Sequence, residues 1–527
     1  MSKIIKSRRI FYALLIIVSV LVTSESVAAE TTTESLFQKH CASCHGVHRL
    51  GITGPALLPE NLRKLRNKQA IEVIKNGRVA TQMPAFRQQL SRKQIESLVS
   101  FIYTPLATPA VWGEREIRAS HIVYPNSKPN AKPQLKPVFD ADPMNLFLVV
   151  ESGDHHVTLL DGDTFNPIHR FASRFALHGG PKYSSDGRYV YFTSRDGWIS
   201  RFDIYTLKLT AEIRVGINAR NAAVSSDDNN LIVANYYPHT LVVLSADDLS
   251  LVKIIPVNTG KGKSSRVSAV YNAPPRNTFV AALKDVPEVW EISYEDPPPA
   301  GFGQPWSHDY REDSGDAIRE LFPVRRIRLA SALDDFFFDQ DYVHLVGASR
   351  QGEGQVIDLD LGRAVAKLDL PGMPHLSSGI TWKYQDTTVL ATPNLKENSI
   401  SIIDMQTWKL IKKIKTPGTG FFLRSHEKTP YAWADVFFGE NRDQMLVIDK
   451  NKLEIIKTLR PVPGKTSAHV EFTQDGSHAL VSIWEMNGEL VVYDASSFKV
   501  VKRIPMKKPV GKYNVYNKIT HSSGTSH

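Results

Sequence analysis

This sequence predicts a small all-α domain followed by an all-β, eight-bladed propeller. Three observations carry that prediction. Near the N-terminus a helix-patterned run, Thr33 to Lys39, leads into Cys41-Ala42-Ser43-Cys44-His45. Pro105, Pro109, Pro125, Pro129, Pro133 and Pro137 then punctuate the chain. Beyond them a unit of apolar strand, polar turn, second strand closing in Asp or Ser, and a further strand rich in Lys, Leu, Val and Ile repeats to the C-terminus.

With 527 residues, 42% of them hydrophobic and 22% charged, the chain can bury more than one core and is not disordered by composition. Residues 1–29 read as a secretory signal: Lys3, Lys6, Arg8 and Arg9 form a basic start, Ile10 to Val22 an apolar stretch, and Val27-Ala28-Ala29 a small-residue cleavage site. The apolar stretch is shorter than the roughly 20 residues that span a bilayer, so cleavage and a periplasmic location are expected, without stable membrane insertion. The formal charge of +10 includes those four leader cations, and the remaining excess is spread along the chain. A nucleic-acid footprint would concentrate it on one element; a diffuse excess fits weak steering toward acidic ligands.

Residues 30–104 form the first domain. Cys41 and Cys44 are the only cysteines, and a bridge between them would close too short a loop to stabilise much. Cys-x-x-Cys-His is instead the attachment signature of a c-type haem, with His45 as one axial ligand. A thioredoxin-like pair would need a βαβ context that is absent here. Met83, the only methionine between Cys44 and Met144, precedes Pro84 and is the candidate for the second axial ligand. Ser91 and Gln94 make a capping box for the next helix, with Ile95, Leu98, Val99 and Ile102 on one face. This is a small all-α cytochrome c domain. Residues 105–138 read as a linker rather than a packed element.

Residues 139–527 hold the repeats. Strands close at Asp161, Asp203 and Ser245, 42 residues apart, and again at Asp358, Asp404, Asp449 and Asp494, at intervals of 46, 45 and 45. The gap between 245 and 358 accommodates one irregular blade around Thr278 to Tyr294 with a Pro-rich insertion at Pro297 to Pro305, which brings the count to eight. Units of this length hide their apolar faces only against their neighbours, which is the propeller arrangement. Thr520 to His527 reads as a polar tail.

Haem c followed by eight blades resembles cytochrome cd1 nitrite reductase over essentially the whole mature chain. The most specific points are Leu177-His178, Ser185-Asp186-Gly187-Arg188-Tyr189, Arg195-Asp196, Gly216-Ile217-Asn218-Ala219-Arg220 and Gly511-Lys512-Tyr513-Asn514-Val515-Tyr516-Asn517. The resemblance implies that His178 is the proximal ligand of a haem d1 iron. It also implies that Arg174, Arg195 and Arg220 are donors to the carboxylates of that tetrapyrrole, for which the guanidinium fork is suited.

The chain departs from the reductase where nitrite would be protonated. Of two distal histidines the first falls on Asp334, in Ala332-Leu333-Asp334-Asp335, and only the second remains, as His375; Ser378 stands where the reductase has an arginine. A pocket so changed is poorly equipped to deliver two protons. It is similar instead to the dihydro-haem d1 dehydrogenases, which share the architecture and lack the first distal histidine. That resemblance implies desaturation of a propionate side chain of dihydro-haem d1 to acrylate, the last step of haem d1 assembly, with electrons passed to haem c and onward to an external acceptor. The nitrite reductase that uses haem d1 would then be a recipient of the product.

In that reading His469, His375 and Tyr513 match polar residues around the substrate side chain. His469 is the candidate general base, Tyr513 a hydrogen-bond donor, and His375 either a distal iron ligand or a residue that orients the tetrapyrrole. A nitrite reductase holding d1 permanently and a non-catalytic d1 carrier are the competing functions.

Overall fold

The computed structural model describes residues 32–521 apart from 53, 63–64, 79–82, 109, 126–135, 175, 260–261, 303–319 and 371. The signal segment 1–29 and most of the C-terminal tail lie outside the described residues, so neither expectation is addressed by the fold.

The N-terminal domain is helical: α1 Thr33–His40, α2 Ala42–His45, α3 Pro59–Leu62, α4 Asn67–Asn76 and α5 Arg92–Tyr103. Each boundary has a local cause. Thr32 caps α1 by accepting from the Ser35 N–H, and Ser91 and Gln94 form the reciprocal capping box of α5. Ile95, Leu98, Val99 and Ile102 recur at helical spacing and are buried against Leu36 and Phe37. Phe37 and Phe101 lock the two helices with ring centroids 5.3 Å apart.

Eight antiparallel sheets follow, seven of four strands and one of five. We number the blades from the one whose second strand is Leu146–Glu151. Their third strands end at Asp161, Asp203, Ser245, Ser293, Asp358, Asp404, Asp449 and Asp494. The sequence regularity has a physical cause, because each of these eight side chains accepts the main-chain N–H two residues on and so forms the turn into the fourth strand. The irregular blade is blade 4, whose outer strand Val324–Arg328 is reached only after an insertion.

Two features were not read from the sequence. The innermost strand of blade 1 is the C-terminal Pro509–Asn514, which pairs with Leu146–Glu151 and so joins the two ends of the ring. Residues 112–124 are packed, not linker. Pro109 and Pro125 flank a proline-free stretch in which α6, Glu114–Ala119, buries Ile117 to 1% exposure. Strand Ile122–Val123 then adds a fifth strand to the outer edge of blade 2. Trp112 stacks under the Arg214 guanidinium at 4.4 Å and donates Nε1–H to the Arg214 carbonyl at 3.0 Å.

The same turn docks the helical domain. Arg214 Nη2 donates to the Leu50 carbonyl at 3.1 Å, and Ile217 packs against Ala56 and Leu58. The chain leaves Ile217 directly into Asn218–Val224, the channel-lining strand of blade 3 that carries Arg220. The helical domain therefore sits on the face of the ring where the inner strands begin.

Candidate functional site

The first centre is the Cys-x-x-Cys-His turn. Cys41 ends α1 and α2 carries Cys44 and His45, so successive helical turns present two thiols and an imidazole together; the two thiols are unbridged. Burial, with Cys44 nearby, pushes the Cys41 thiol up to about 11. His45 is buried and donates Nδ1–H to the Pro55 carbonyl at 2.8 Å, which leaves Nε2 as the free lone pair. Gly54 is required for close approach, since a Cβ there would lie 2.6 Å from the His45 ring. Met83 packs against the same core. Two free thiols, an oriented imidazole and a thioether fit a covalent haem c.

The second centre is the mouth of the propeller channel. His178 lies in the loop before the inner strand of blade 2, anchored by the Leu177–Ser194 bridge and by its own N–H on the Thr193 carbonyl at 2.9 Å. Gly179 and Gly180, at φ +83° and +69°, turn the chain where a Cβ on Gly179 would strike Asn221 at 2.7 Å. Nδ1 of His178 meets the Arg220 carbonyl at 2.9 Å, fixing the tautomer in which Nε2 is the acceptor. Arg195 Nη2 stands 2.8 Å and Arg220 Nη1 3.0 Å from that Nε2. Desolvation and the two guanidiniums hold the imidazole well below its ordinary pKa, so it is neutral and able to ligate a metal.

Neither Arg195 nor Arg220 has a carboxylate ion-pair partner among the described residues. Arg220 Nε donates to the Ser268 carbonyl at 2.9 Å, and Arg195 lies over the Tyr236 ring at 5.7 Å. Burial, Arg220 and Arg78 of the helical domain bring Arg195 down to about 10. Tyr236, ringed by Arg220, Lys284 and Arg195, is lowered to about 8. A cluster of buried cations whose guanidiniums lack direct carboxylate partners among the described residues suits a polycarboxylate ligand.

Arg174 does not join it. Both its Nε and Nη2 are taken by Glu212, at 2.9 and 2.7 Å, and its guanidinium stacks on Trp198 at 3.8 Å. The expected donor is thus a blade-surface ion pair, because a fully neutralised fork has no affinity to spare for a ligand.

Across the channel, His375 donates Nδ1–H to the Phe421 carbonyl at 2.7 Å and rests its ring 4.1 Å from that of Phe421. Burial lowers its pKa against the pull of Asp335. Asp334 is ion-paired to Lys284 and, at 3.0 Å, to Arg350, which hold its carboxyl down at about 2 against the opposing effect of burial. It is a fixed anion and no proton donor. Ser378 is buried in the turn after His375.

His469 is the extra residue of a β-bulge in the inner strand of blade 8, between Ala468 and Val470, with φ +54°. Bulges of this kind re-aim a side chain beside active sites. It is 2% exposed, and its Nδ1 has no hydrogen-bond partner among the described residues. Burial, Lys512 and Arg424 hold it well below its ordinary pKa, hence neutral. Its ring centroid lies 5.1 Å from that of Tyr513. Burial pushes Tyr513 up to about 12, so it remains a donor, and it shares with His178 the lining of a cavity of about 30 Å³.

The structure thus brings together His178, Arg195, Arg220, His375, His469 and Tyr513. Reading of the sequence missed Tyr236, Asp435 and Lys512. Lys512 stands inside the quoted Gly511–Asn517 motif, and Asp435 breaks the apolar run of Ala432-Trp433-Ala434; a charge in a strand buried on both faces was the available signal.

Comparison with known proteins agrees with this division. Residues 141–518 match the model described as cytochrome D1 heme domain, and 28–102 that of cytochrome C oxidase, cbb3-type, subunit III. The chain is 52% identical over 501 residues to the dihydro-heme d1 dehydrogenase of Pseudomonas aeruginosa, covering 95% of this chain and 97% of the relative. It is 25% identical over 557 residues to the nitrite reductase of Stutzerimonas stutzeri, covering 94% and 95%. The solved structure of dihydro-heme d1 dehydrogenase NirN in complex with DHE superposes with a TM-score of 0.80 at 52% identity, over 92% of this chain and 99% of that one. The chain belongs to the dihydro-haem d1 dehydrogenase family.

Proposed function

We propose that this protein is an oxidoreductase that desaturates a propionate side chain of dihydro-haem d1 to acrylate, the last step in making haem d1. The observation that carries the reading is His469: a buried, neutral imidazole, aimed by a bulge and left with an unpartnered ring nitrogen, beside a tyrosine that stays protonated. The reaction converts –CH2–CH2–COO⁻ to –CH=CH–COO⁻; two C–H bonds break, and two protons and two electrons leave.

His178 Nε2 is the ligand offered to the tetrapyrrole iron, and Arg195 and Arg220 are the donors offered to its carboxylates. His469 accepts one proton from the side chain and the second passes to solvent, Tyr513 orients the side chain by donating O–H, and His375 holds the opposite side of the macrocycle, either as a distal ligand or by position. Haem c, held by Cys41, Cys44, His45 and Met83, supplies one-electron acceptance within the same chain. Two electrons against a single one-electron group require an external acceptor. The leader at residues 1–29 supports export and a periplasmic site of action, and the d1-dependent nitrite reductase is the consumer of the product.

Asp334 argues against reduction of nitrite, since Lys284 and Arg350 keep it deprotonated where a proton donor is needed. The test is to produce the protein in a host that attaches haem c but makes no haem d1, then add dihydro-haem d1 anaerobically with an electron acceptor. Loss of two mass units from the extracted tetrapyrrole supports the dehydrogenase. Binding without mass change supports the carrier, and nitrite turnover with retained d1 the reductase.

A further inference from the structure

One buried carboxylate links the two candidate catalytic histidines. Asp435 closes the second strand of blade 7, Tyr431–Asp435, is 1% exposed and has no ion-pair partner among the described residues. Its Oδ1 accepts the main-chain N–H groups of Phe421 and Phe422, at 2.7 and 3.0 Å, and its Oδ2 accepts that of His469 at 3.3 Å. Phe421 is the residue whose carbonyl takes the Nδ1–H of His375, and the Phe422 ring lies 4.7 Å from that of His469.

The other side of His469 is held as well. Lys512, fully buried, donates Nζ–H to the His469 carbonyl and, at 3.0 Å, to Ser482 Oγ. No carboxylate pairs with it among the described residues. Thus the N–H and the C=O of one residue at positive φ are each taken by a buried ionisable side chain. A left-handed, non-glycine conformation persists only where its surroundings over-determine it, and burying two ionisable groups is a high cost for a bulge without a task.

We propose that Asp435 and Lys512 are positioning residues for the desaturation: Asp435 sets the separation and aim of His375 and His469, and Lys512 fixes the bulge that points His469 at the substrate side chain. The proposal rests on the dehydrogenase reading and adds two residues that touch neither substrate nor haem. Such a role predicts more damage to turnover than to binding, because His178, Arg195 and Arg220 stand on other blades and owe nothing to Asp435, which leaves His375 as the one binding residue it positions.

The test uses the full chain with haem c attached. Asp435→Asn should lower kcat by about 10- to 100-fold, the cost of misplacing a catalytic group by about an ångström. Its Kd for the tetrapyrrole, from absorbance titration, should rise by much less than kcat falls, since only His375 among the binding residues depends on Asp435. Introduced into His469→Ala, the same change should cost much less than in the wild type, because the group it positions is gone. A wild-type kcat in Asp435→Asn, or an equal fold loss in both backgrounds, would overturn the proposal. If Asp435→Asn fails to fold by circular dichroism and haem c absorbance, Lys512→Met is read by the same criteria. If the wild type itself leaves the substrate unchanged, the dehydrogenase reading fails; the crystal structure of Asp435→Asn then decides, with the His469 ring displaced supporting the clamp and an unmoved ring at positive φ refuting it.

Discussion

His178 turns its Nδ1 to the carbonyl of Arg220 at 2.9 Å, while the guanidinium of that same arginine stands 3.0 Å from Nε2. One residue thus orients the imidazole and sets a guanidinium against the nitrogen that would pass to iron. The main-chain contact is independent of the side chain, which makes the two contributions separable. Arg220→Lys should keep the ring orientation yet weaken tetrapyrrole binding by about tenfold, the difference between a forked and a point-charge donor. His178→Ala should abolish the low-spin spectrum of the bound iron. Absorbance titration of both variants checks this.

Arg174 and Arg195 were equal candidates in the sequence and are unequal in the fold. With its fork occupied by Glu212, Arg174→Ala should leave tetrapyrrole affinity unchanged, whereas Arg195→Ala should reduce it by about 10-fold or more. The same titration distinguishes them.

Asp334 makes a stability prediction with a defined sign. Its folded pKa of about 2 lies below the ordinary aspartate value, so its contribution is present above about pH 4 and is lost as pH falls toward 2. Asp334→Asn should therefore unfold more easily than the wild type at pH 7, by about 2 kcal/mol, with the gap closing between about pH 4 and 2. Denaturant titration across that range measures it.

Gly54 tests the fit of the haem c centre. A methyl group there would sit 2.6 Å from His45 Cε1 and push the ring off the Pro55 carbonyl. Gly54→Ala should lower the fraction of low-spin haem c, seen in the reduced α-band, without affecting tetrapyrrole binding at the propeller mouth.

Much of this was legible beforehand because it depended on local chemistry. Seven of the eight blade ends could be read from Asp and Ser positions, since each side chain forms its own turn, and α5 from Ser91 and Gln94; Ser293, which closes the irregular blade, was not named. What escaped depends on long-range contacts. Ring closure by Pro509–Asn514 pairs residues more than 350 positions apart, and α6 forms because blade 2 and blade 3 offer Ile117 a place to bury. The pairing of Arg174 was not legible because Glu212, its partner, is 38 positions away and carries no motif. Asp435 showed only as a charge ending an apolar run, and its role was hidden for the same reason: its three donors come from a neighbouring loop and the next blade.

The most direct measurement is a single-turnover experiment in which dihydro-haem d1 is mixed anaerobically with the protein carrying oxidised haem c and one equivalent of an external one-electron acceptor, which takes the second electron. Haem c absorbance and the mass of the extracted tetrapyrrole are followed together in the wild type and in His469→Ala. The account predicts reduction of haem c in step with loss of two mass units in the wild type, and both changes slowed by about 100-fold or more, with binding kept, in His469→Ala. Unaltered substrate in the wild type, or equal rates in the two proteins, would contradict it.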